Sequence, residues 1–141
     1  LSIHSFPHDA LPISITLGAG FVARAFSNDK ESLKEIMLQA INHKGYALVD
    51  ILQPCVSFNK INTHKWYKDR IYMLDDTYDP TNKLKAMEKA MEWGDKIPVG
   101  ILYKEEKPHF TDKLDFLRDG KPLVDKDIDL DKISGFMNEF K

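Results

Sequence analysis

Residues Tyr46 to Leu52, read Tyr-Ala-Leu-Val-Asp-Ile-Leu, form an aliphatic and β-branched run with punctuation on both sides. A run this short bounded by turn signals reads as a buried strand. Gly45 precedes it, and Pro54 two residues beyond its end has no N–H to give a sheet and holds Gln53 extended. Asp29 is a good N-cap for a helix reaching about Lys44. Its Leu33, Ile36, Met37, Ala40 and Ile41 recur at three and four, which predicts one apolar stripe with Gly45 at the C′ position. Phe21 to Phe26, with alternating large side chains, reads as a strand before it. Strand, helix, strand in that order predicts a βαβ unit with parallel strands and a right-handed crossover. The fold class expected is α/β, a partial doubly wound, mostly parallel sheet followed by a weakly patterned C-terminal tail.

The rest of the chain gives looser signals. Leu11 to Gly20 is apolar and then small, and reads either as a helix end or as a short strand. Thr63 is placed to cap a short helix carrying Trp66, Tyr67 and Ile71. Asp79-Pro80 reads as the start of a helix to about Trp93, with Leu84, Met87, Ala90 and Met91 inward and Gly94 ending it. Pro98 to Tyr103 reads as a strand, Glu105-Glu106 as a charged strand end, and Asp131 to Phe140 as a last helix. The expected organisation is a tail or junction over residues 1–14, one domain over 15–114 and an extension over 115–141. The first stretch has neither a basic n-region nor a continuous apolar core, so it is not a signal peptide.

Composition narrows the function classes. A net charge of −2 on 141 residues, without a dense Lys/Arg cluster, gives no reason to expect nucleic acid. No apolar run approaches the ~20 residues needed to span a bilayer, so no membrane partner is expected. The single cysteine rules out an internal disulfide and suits a reducing cytoplasm.

Most motifs read as structure. Gly18-Ala19-Gly20-Phe21-Val22-Ala23 matches a dinucleotide fingerprint, but that fingerprint opens a helix and needs an acid about 20 residues on. Here the glycines lead into a strand and positions 38–42 hold no carboxylate. A tight helix-to-strand turn is expected instead. Asp125, Asp127, Asp129 and Asp131 alternate like a calcium loop, yet Leu130 and Phe136 stand where Gly and Glu are required, so a solvated acidic loop is expected. His4 and His8 are too few for a metal site and are split by Pro7. Trp66, Tyr67 and Trp93 read as packing anchors, and His43, His64 and His109 as surface or capping residues. Cys55 taken alone reads as a small buried apolar residue. Its position is different: it follows Pro54 just past the carboxyl end of a strand, where ligands sit in open α/β sheets.

Gly20-Phe21-Val22-Ala23-Arg24, His43-Lys44-Gly45, the stretch Leu48 to Asn59 with its Gln53-Pro54-Cys55, Asn62-Thr63, Trp66-Tyr67 and Glu92 to Gly100 together resemble one family. The chain looks like the C-terminal half of the β subunit of 2-oxoacid:ferredoxin oxidoreductases, from about Ile15 to about Leu114. The resemblance implies a domain that in the complete subunit binds thiamine diphosphate with Mg2+ and a [4Fe–4S] cluster, with Cys55 as the fourth thiolate ligand. Iron–sulfur clusters are held by such thiolates. It also implies oxidative decarboxylation of a 2-oxoacid to acyl-CoA with coenzyme A, ferredoxin as electron acceptor, an α subunit as partner and a cytoplasmic location. Val56-Ser57-Phe58-Asn59 resembles the 2-oxoglutarate or broad 2-oxoacid members more than the pyruvate type.

The family's other three cluster cysteines and its Gly-Asp-Gly diphosphate segment have no counterpart in this sequence. The expectation is therefore an enzyme fragment that alone binds neither cofactor and is inactive. The rival expectation is a non-catalytic α/β module that docks on another subunit, and a nucleotide-binding protein through Gly18 and Gly20 is a distant third.

Overall fold

The computed structural model describes residues 10–117, 119–127 and 130–140. The expected tail through residue 9, with His4 and His8, lies outside them, as does Asp129 of the acidic run. The chain forms two compact units, one ending at His109 and one running from Phe110.

The first unit is built on a four-stranded sheet. In chain order its elements are α1 (Ala10–Thr16), β1 (Phe21–Phe26), α2 (Lys30–Asn42), β2 (Ala47–Leu52), α3 (His64–Lys68), β3 (Ile71–Met73), α4 (Lys83–Met91) and β4 (Ile97–Lys104). The strands lie in the order β2-β1-β4-β3. β1 and β2 pair in parallel without a shift from Phe21↔Ala47 to Phe26↔Leu52, as the βαβ reading predicts. β3 and β4 are also parallel, while β1 meets β4 antiparallel, so the sheet is mixed. A bulge shifts the β1–β4 register between Val22 and Ala23. It leaves Leu102 without an opposite residue, and Leu102 and Tyr103 are both buried in the same core cluster. Pro98 lies where β4 pairs with β3 but has run past its pairing with β1, so its missing N–H breaks no β1–β4 bond.

β1 is buried along its whole length because both its faces are covered. Phe21, Ala23 and Ala25 meet Ile36 of α2, with Leu33 and Ala40 packed against them. Val22, on the other face, joins Leu11 and Ile15 of α1, Ala86 and Ala90 of α4, and Leu102. Alanines at the α4 contact let that helix come close to its neighbours. The Leu11–Gly20 alternative resolves as a helix, and α1 is core: Leu11 and Ile15 are fully buried although Leu11 precedes the boundary expected at residue 15.

Several expectations fail in informative ways. β2 is not buried; all its residues but Leu52 stay partly exposed, because it is an edge strand with a neighbour on one side only. α2 starts as predicted, with the Asp29 carboxylate accepting from the Ser32 N–H, but buries a narrower stripe than expected. Met37 is 43% and Ile41 74% exposed, since only the face through Ile36 and Ala40 reaches the sheet. Thr63 caps α3 through the Trp66 N–H, yet Ile71 lies on β3 because α3 stops at Lys68. Asp79-Pro80 does not start α4. The Asp79 carboxylate accepts from the Thr81 N–H and hydroxyl in a local turn, and Asn82 caps the helix through Lys85 N–H. Ala90 and Met87 face the core as expected, together with Ala86, while Leu84 and Met91 are exposed.

Gly18, at φ +91°, makes the helix-to-strand turn that the sequence suggested in place of a nucleotide loop. Gly20 is needed for space: a Cβ there would stand 2.6 Å from His43 Nε2 and 2.8 Å from the Glu105 carbonyl oxygen.

The second unit holds short 3-10 turns at Phe110–Lys113, Asp115–Leu117 and Leu123–Asp125 and the helix α5 (Leu130–Glu139). Asp131 falls in the first turn of α5, where a carboxylate suits the helix dipole. Lys126 pairs with Asp119 at 2.8 Å. Among the described residues no helix is long and apolar enough to cross a membrane.

Candidate functional site

The carboxyl ends of β1 and β2 converge on one cluster of side chains. Phe26 and Leu52, the last residues of the two strands, pack with Ile97 and Val99 of β4 under Trp66, Tyr67, Ile71 and Trp93. The predicted aromatic anchors therefore serve as anchors. α3 is short and lies over this end: Tyr67 is 5.9 Å and His64 6.1 Å from the Phe26 ring.

Within this end sits a residue that the sequence reading passed over. Arg24 is fully buried, and its Nε donates to Asp50 Oδ2 at 3.0 Å. Its Nη1 and Nη2 find no acceptor among the described residues, and its guanidinium lies 5.4 Å from the Trp93 ring centroid. Burial pulls the Arg24 pKa below its ordinary value, with the Asp50 carboxylate pulling it back. Burial, with Asp50 next, raises the Tyr67 phenol. The sequence alone did not signal the pair: in the strand expected over Tyr46–Leu52 Asp50 is the fifth residue, and only the observed start at Ala47 makes both Arg24 and Asp50 fourth in their strands and so opposite in the unshifted parallel pairing.

The loop between Leu52 and Thr63 carries Cys55. Pro54 is buried and Cys55 is exposed, so the reading of the cysteine as a buried apolar residue is overturned. The loop folds into a tight turn, with Asn59 N–H donating to the Cys55 carbonyl at 3.1 Å. Asn59 Oδ1 accepts from the Ile61 and Asn62 N–H groups, and Lys60 Nζ donates to the Val56 carbonyl at 2.7 Å. Backbone N–H groups of Phe58, then Ser57, with a smaller share from Asn59, hold the Cys55 thiol below its usual pKa. Amide donors favour the charged sulfur, and the thiolate is the form that reacts and binds metals. A hollow of about 340 Å3 opens beside it, lined by Pro54, Cys55, Val56, Asn59, Lys60, Thr63, His64 and Lys65.

The sign of this shift gives a test on the chain itself. A depressed thiol pKa means that the thiolate persists as pH falls below the free-cysteine value of about 8.5. The rate of Cys55 alkylation by iodoacetamide is expected to reach half its plateau below that pH. In denaturant the midpoint is expected to return to about 8.5, and equal midpoints in the two states would remove the amide cradle from the account.

A second polar group lies apart from the cysteine. Lys89 Nζ donates to Tyr72 Oη at 2.9 Å and to Glu92 Oε1 at 2.6 Å, and Tyr72 Oη donates to Glu92 Oε2. Glu92 and Tyr72 hold the Lys89 amine above its ordinary pKa, and burial raises the Tyr72 phenol. These residues line the wall of an open hollow with Arg70 and Trp93. Among the described residues there is no group of three or more His, Cys, Asp or Glu side chains placed to hold a metal ion.

The surroundings of Cys55 match known proteins. Residues 55–119 fit the family model for the C-terminal part of the pyruvate ferredoxin oxidoreductase β subunit. A 2-oxoacid:ferredoxin oxidoreductase β subunit of Sulfolobus sp. is 45% identical over 108 residues, covering 67% of this chain and 35% of that protein. The β subunit of 2-oxoacid:ferredoxin oxidoreductase 1 of Aeropyrum pernix is 48% identical over 105 residues, covering 65% and 33%. Among solved structures, the 2-oxoglutarate:ferredoxin oxidoreductase of Magnetococcus marinus aligns with a TM-score of 0.74 at 33% identity. That alignment covers 89% of this chain and 43% of the other, whose structure holds 2-oxoglutarate, coenzyme A and succinyl-CoA. The chain thus spans about a third of the length of the two sequence relatives, both of which are subunits of oxidoreductases.

Proposed function

From the resemblance of this chain to the C-terminal portion of 2-oxoacid:ferredoxin oxidoreductase β subunits, we propose that it forms that portion of such a subunit, of the 2-oxoglutarate type. Cys55 is then one thiolate ligand of the subunit's [4Fe–4S] cluster. The observation that carries the assignment is the Cys55 thiol itself: exposed, just beyond a strand end, and held toward its anion by the Phe58, Ser57 and Asn59 amides. N–H donors to ligand sulfurs also tune cluster potentials, so the cradle suits a redox site.

The fit is partial. A [4Fe–4S] cluster is held by four cysteine thiolates, and this sequence holds one. Cys55 fits as a single ligand, and a whole cluster does not fit on this chain. The same holds for thiamine diphosphate and its Mg2+, for which the sequence has no Gly-Asp-Gly segment. In the assembled subunit these groups supply decarboxylation of the 2-oxoacid and one-electron transfer to ferredoxin, while coenzyme A takes the acyl group. An α subunit as partner and a cytoplasmic location belong to the same proposal. This chain's own residues act by placement. Pro54 is buried at the end of β2, the turn closed by the Asn59 N–H on the Cys55 carbonyl sets the loop's course, and α3 with its aromatic anchors holds the far end of the loop. The isolated chain is inactive on this reading.

Reconstitution tests it. The chain is mixed with the N-terminal portion of a relative's β subunit, iron and sulfide. Cluster absorbance appearing in the mixture and in neither part alone is the expected result. Docking without a chromophore would favour a non-catalytic module instead, and stoichiometric iron and sulfide on the chain alone would overturn the single-ligand reading.

A further inference from the structure

The cysteine loop enters the body of the fold at two places. Pro54 is buried at its start, and from Cys55 to Thr63 the one residue that is not exposed is Asn62. The Asn62 side chain meets the phenol of Tyr67 on α3. Tyr67 in turn stands beside Arg24, the one fully buried charge among the described residues, and its partner Asp50, both of which act on the phenol. The Tyr67 ring lies 5.9 Å from Phe26 and edge-on to Trp66 at 5.0 Å, contacts that a phenylalanine would make equally well. Packing therefore does not call for the hydroxyl. A tyrosine hydroxyl carried into a fold finds a polar partner, and the groups beside this one are the ion pair and the loop. From Asn62 the connection runs on to the cysteine. The Asn62 N–H donates to Asn59 Oδ1 at 2.9 Å, and the Asn59 N–H donates to the Cys55 carbonyl at 3.1 Å. None of these contacts depends on what covers the outside of the loop.

We propose that the Tyr67 hydroxyl and Asn62 are positioning residues for Cys55: they tie the far end of its loop to the Arg24–Asp50 pair and hold the sulfur in place before a cluster assembles. The inference rests on the assignment of Cys55 as a cluster ligand. A ligand on a fixed loop has less conformational freedom to lose when metal binds than one on a free loop. Groups that orient a metal ligand are worth about 10–100-fold in affinity or activity, although they never touch the metal. Tyr67 and Asn62 act in that way, through the loop, and take no part in the chemistry.

The test removes each half of the connection. Tyr67→Phe keeps the ring and loses only the hydroxyl, and Asn62→Ala removes the side chain that meets it. On this chain alone, amide hydrogen exchange at Ile61 and Asn62, whose N–H groups share Asn59 Oδ1, is expected to quicken on the order of fivefold in either variant, with the thermal unfolding midpoint unchanged. In the assembled subunit, release of cluster iron to a chelator is expected to quicken on the order of tenfold. The cluster's midpoint potential is expected to fall, because a looser loop weakens the Phe58 and Ser57 amide contacts that favour the charged sulfur. A role in packing alone would lower the unfolding midpoint and leave the potential where it is. Both variants break one connection, so the double variant is expected to match the larger single effect. Three results overturn the proposal: exchange and iron release both within about twofold of the parent in Tyr67→Phe, single effects that add in the double variant, or a lowered unfolding midpoint with an unchanged potential. Failure of the underlying assignment reads out separately. In that case Cys55→Ala keeps full cluster absorbance, and the positioning role falls with it whatever the exchange rates show.

Discussion

Cys55→Ala in the assembled subunit is expected to abolish ferredoxin-linked turnover, by at least about 100-fold, while the fold survives. Loss of a residue that only supports a metal ligand already costs about 10–100-fold in affinity or activity, and a ligand itself should exceed that. The fold survives because the thiol is exposed and takes no part in any core cluster. The measurements are iron and sulfide per subunit, visible absorbance and the thermal unfolding midpoint, taken on the same preparation. Cluster loss with an unchanged midpoint is the expected pair. An alanine variant that keeps its full iron content and turnover would end the assignment of Cys55. A variant that loses both iron and its midpoint would make the cysteine a structural residue.

Asp50→Ala is expected to be the most destabilising polar substitution in the first unit, at roughly 3 kcal/mol. Arg24 is wholly buried and Asp50 makes its one hydrogen bond, so removing the carboxylate strands a buried cation with none. The reciprocal change is milder. Arg24→Met removes the buried charge and both unaccepted Nη groups, fills similar volume beside Trp93, and leaves a carboxylate that still reaches water at 18% side-chain exposure. Its cost is expected to be about 1 kcal/mol or less, in line with ion pairs replaced by apolar groups of similar volume. Urea unfolding followed by tryptophan fluorescence separates the two. With a slope of about 1.5 kcal/mol/M, Asp50→Ala should lower the midpoint by roughly 2 M and Arg24→Met by well under 1 M. Equal losses, or the reverse order, would mean that Asp50 is not the group that makes Arg24 tolerable.

The contrast between these residues shows what the sequence disclosed. Local patterning carried far: the βαβ unit, the Asp29 and Thr63 caps and the strand Phe21–Phe26 are all as expected, because each is decided by neighbours a few residues away. The Pro54-Cys55 loop was legible for the same reason. What was not legible depended on pairing between distant segments. Nothing local says that β1 meets β4 antiparallel, or that β2 ends up at an edge and keeps its aliphatic residues half exposed. Burial along α2 and α4 failed similarly, since Met37, Ile41, Leu84 and Met91 fit an apolar period but lie beside the strip that touches the sheet. Asp79-Pro80 failed because a competing side-chain turn satisfied the same aspartate first.

The antiparallel β1–β4 pairing also sets an order of events during synthesis. β1, α2 and β2 leave the ribosome close together and can pair as soon as Leu52 has emerged. The other edge of β1 must wait for Ile97–Lys104, some 70 residues after Phe26, which at 5–20 residues per second is a delay of roughly 4–14 s. Through that interval Val22, whose final neighbours include Leu102 and the α4 alanines Ala86 and Ala90, lacks them, and β1 presents an unpaired row of amides and carbonyls to any other nascent chain nearby. The stretch from Leu52 to Ile97, which holds the cysteine loop, is thus a built-in timer, and slowing translation across it is expected to lower the yield of folded protein.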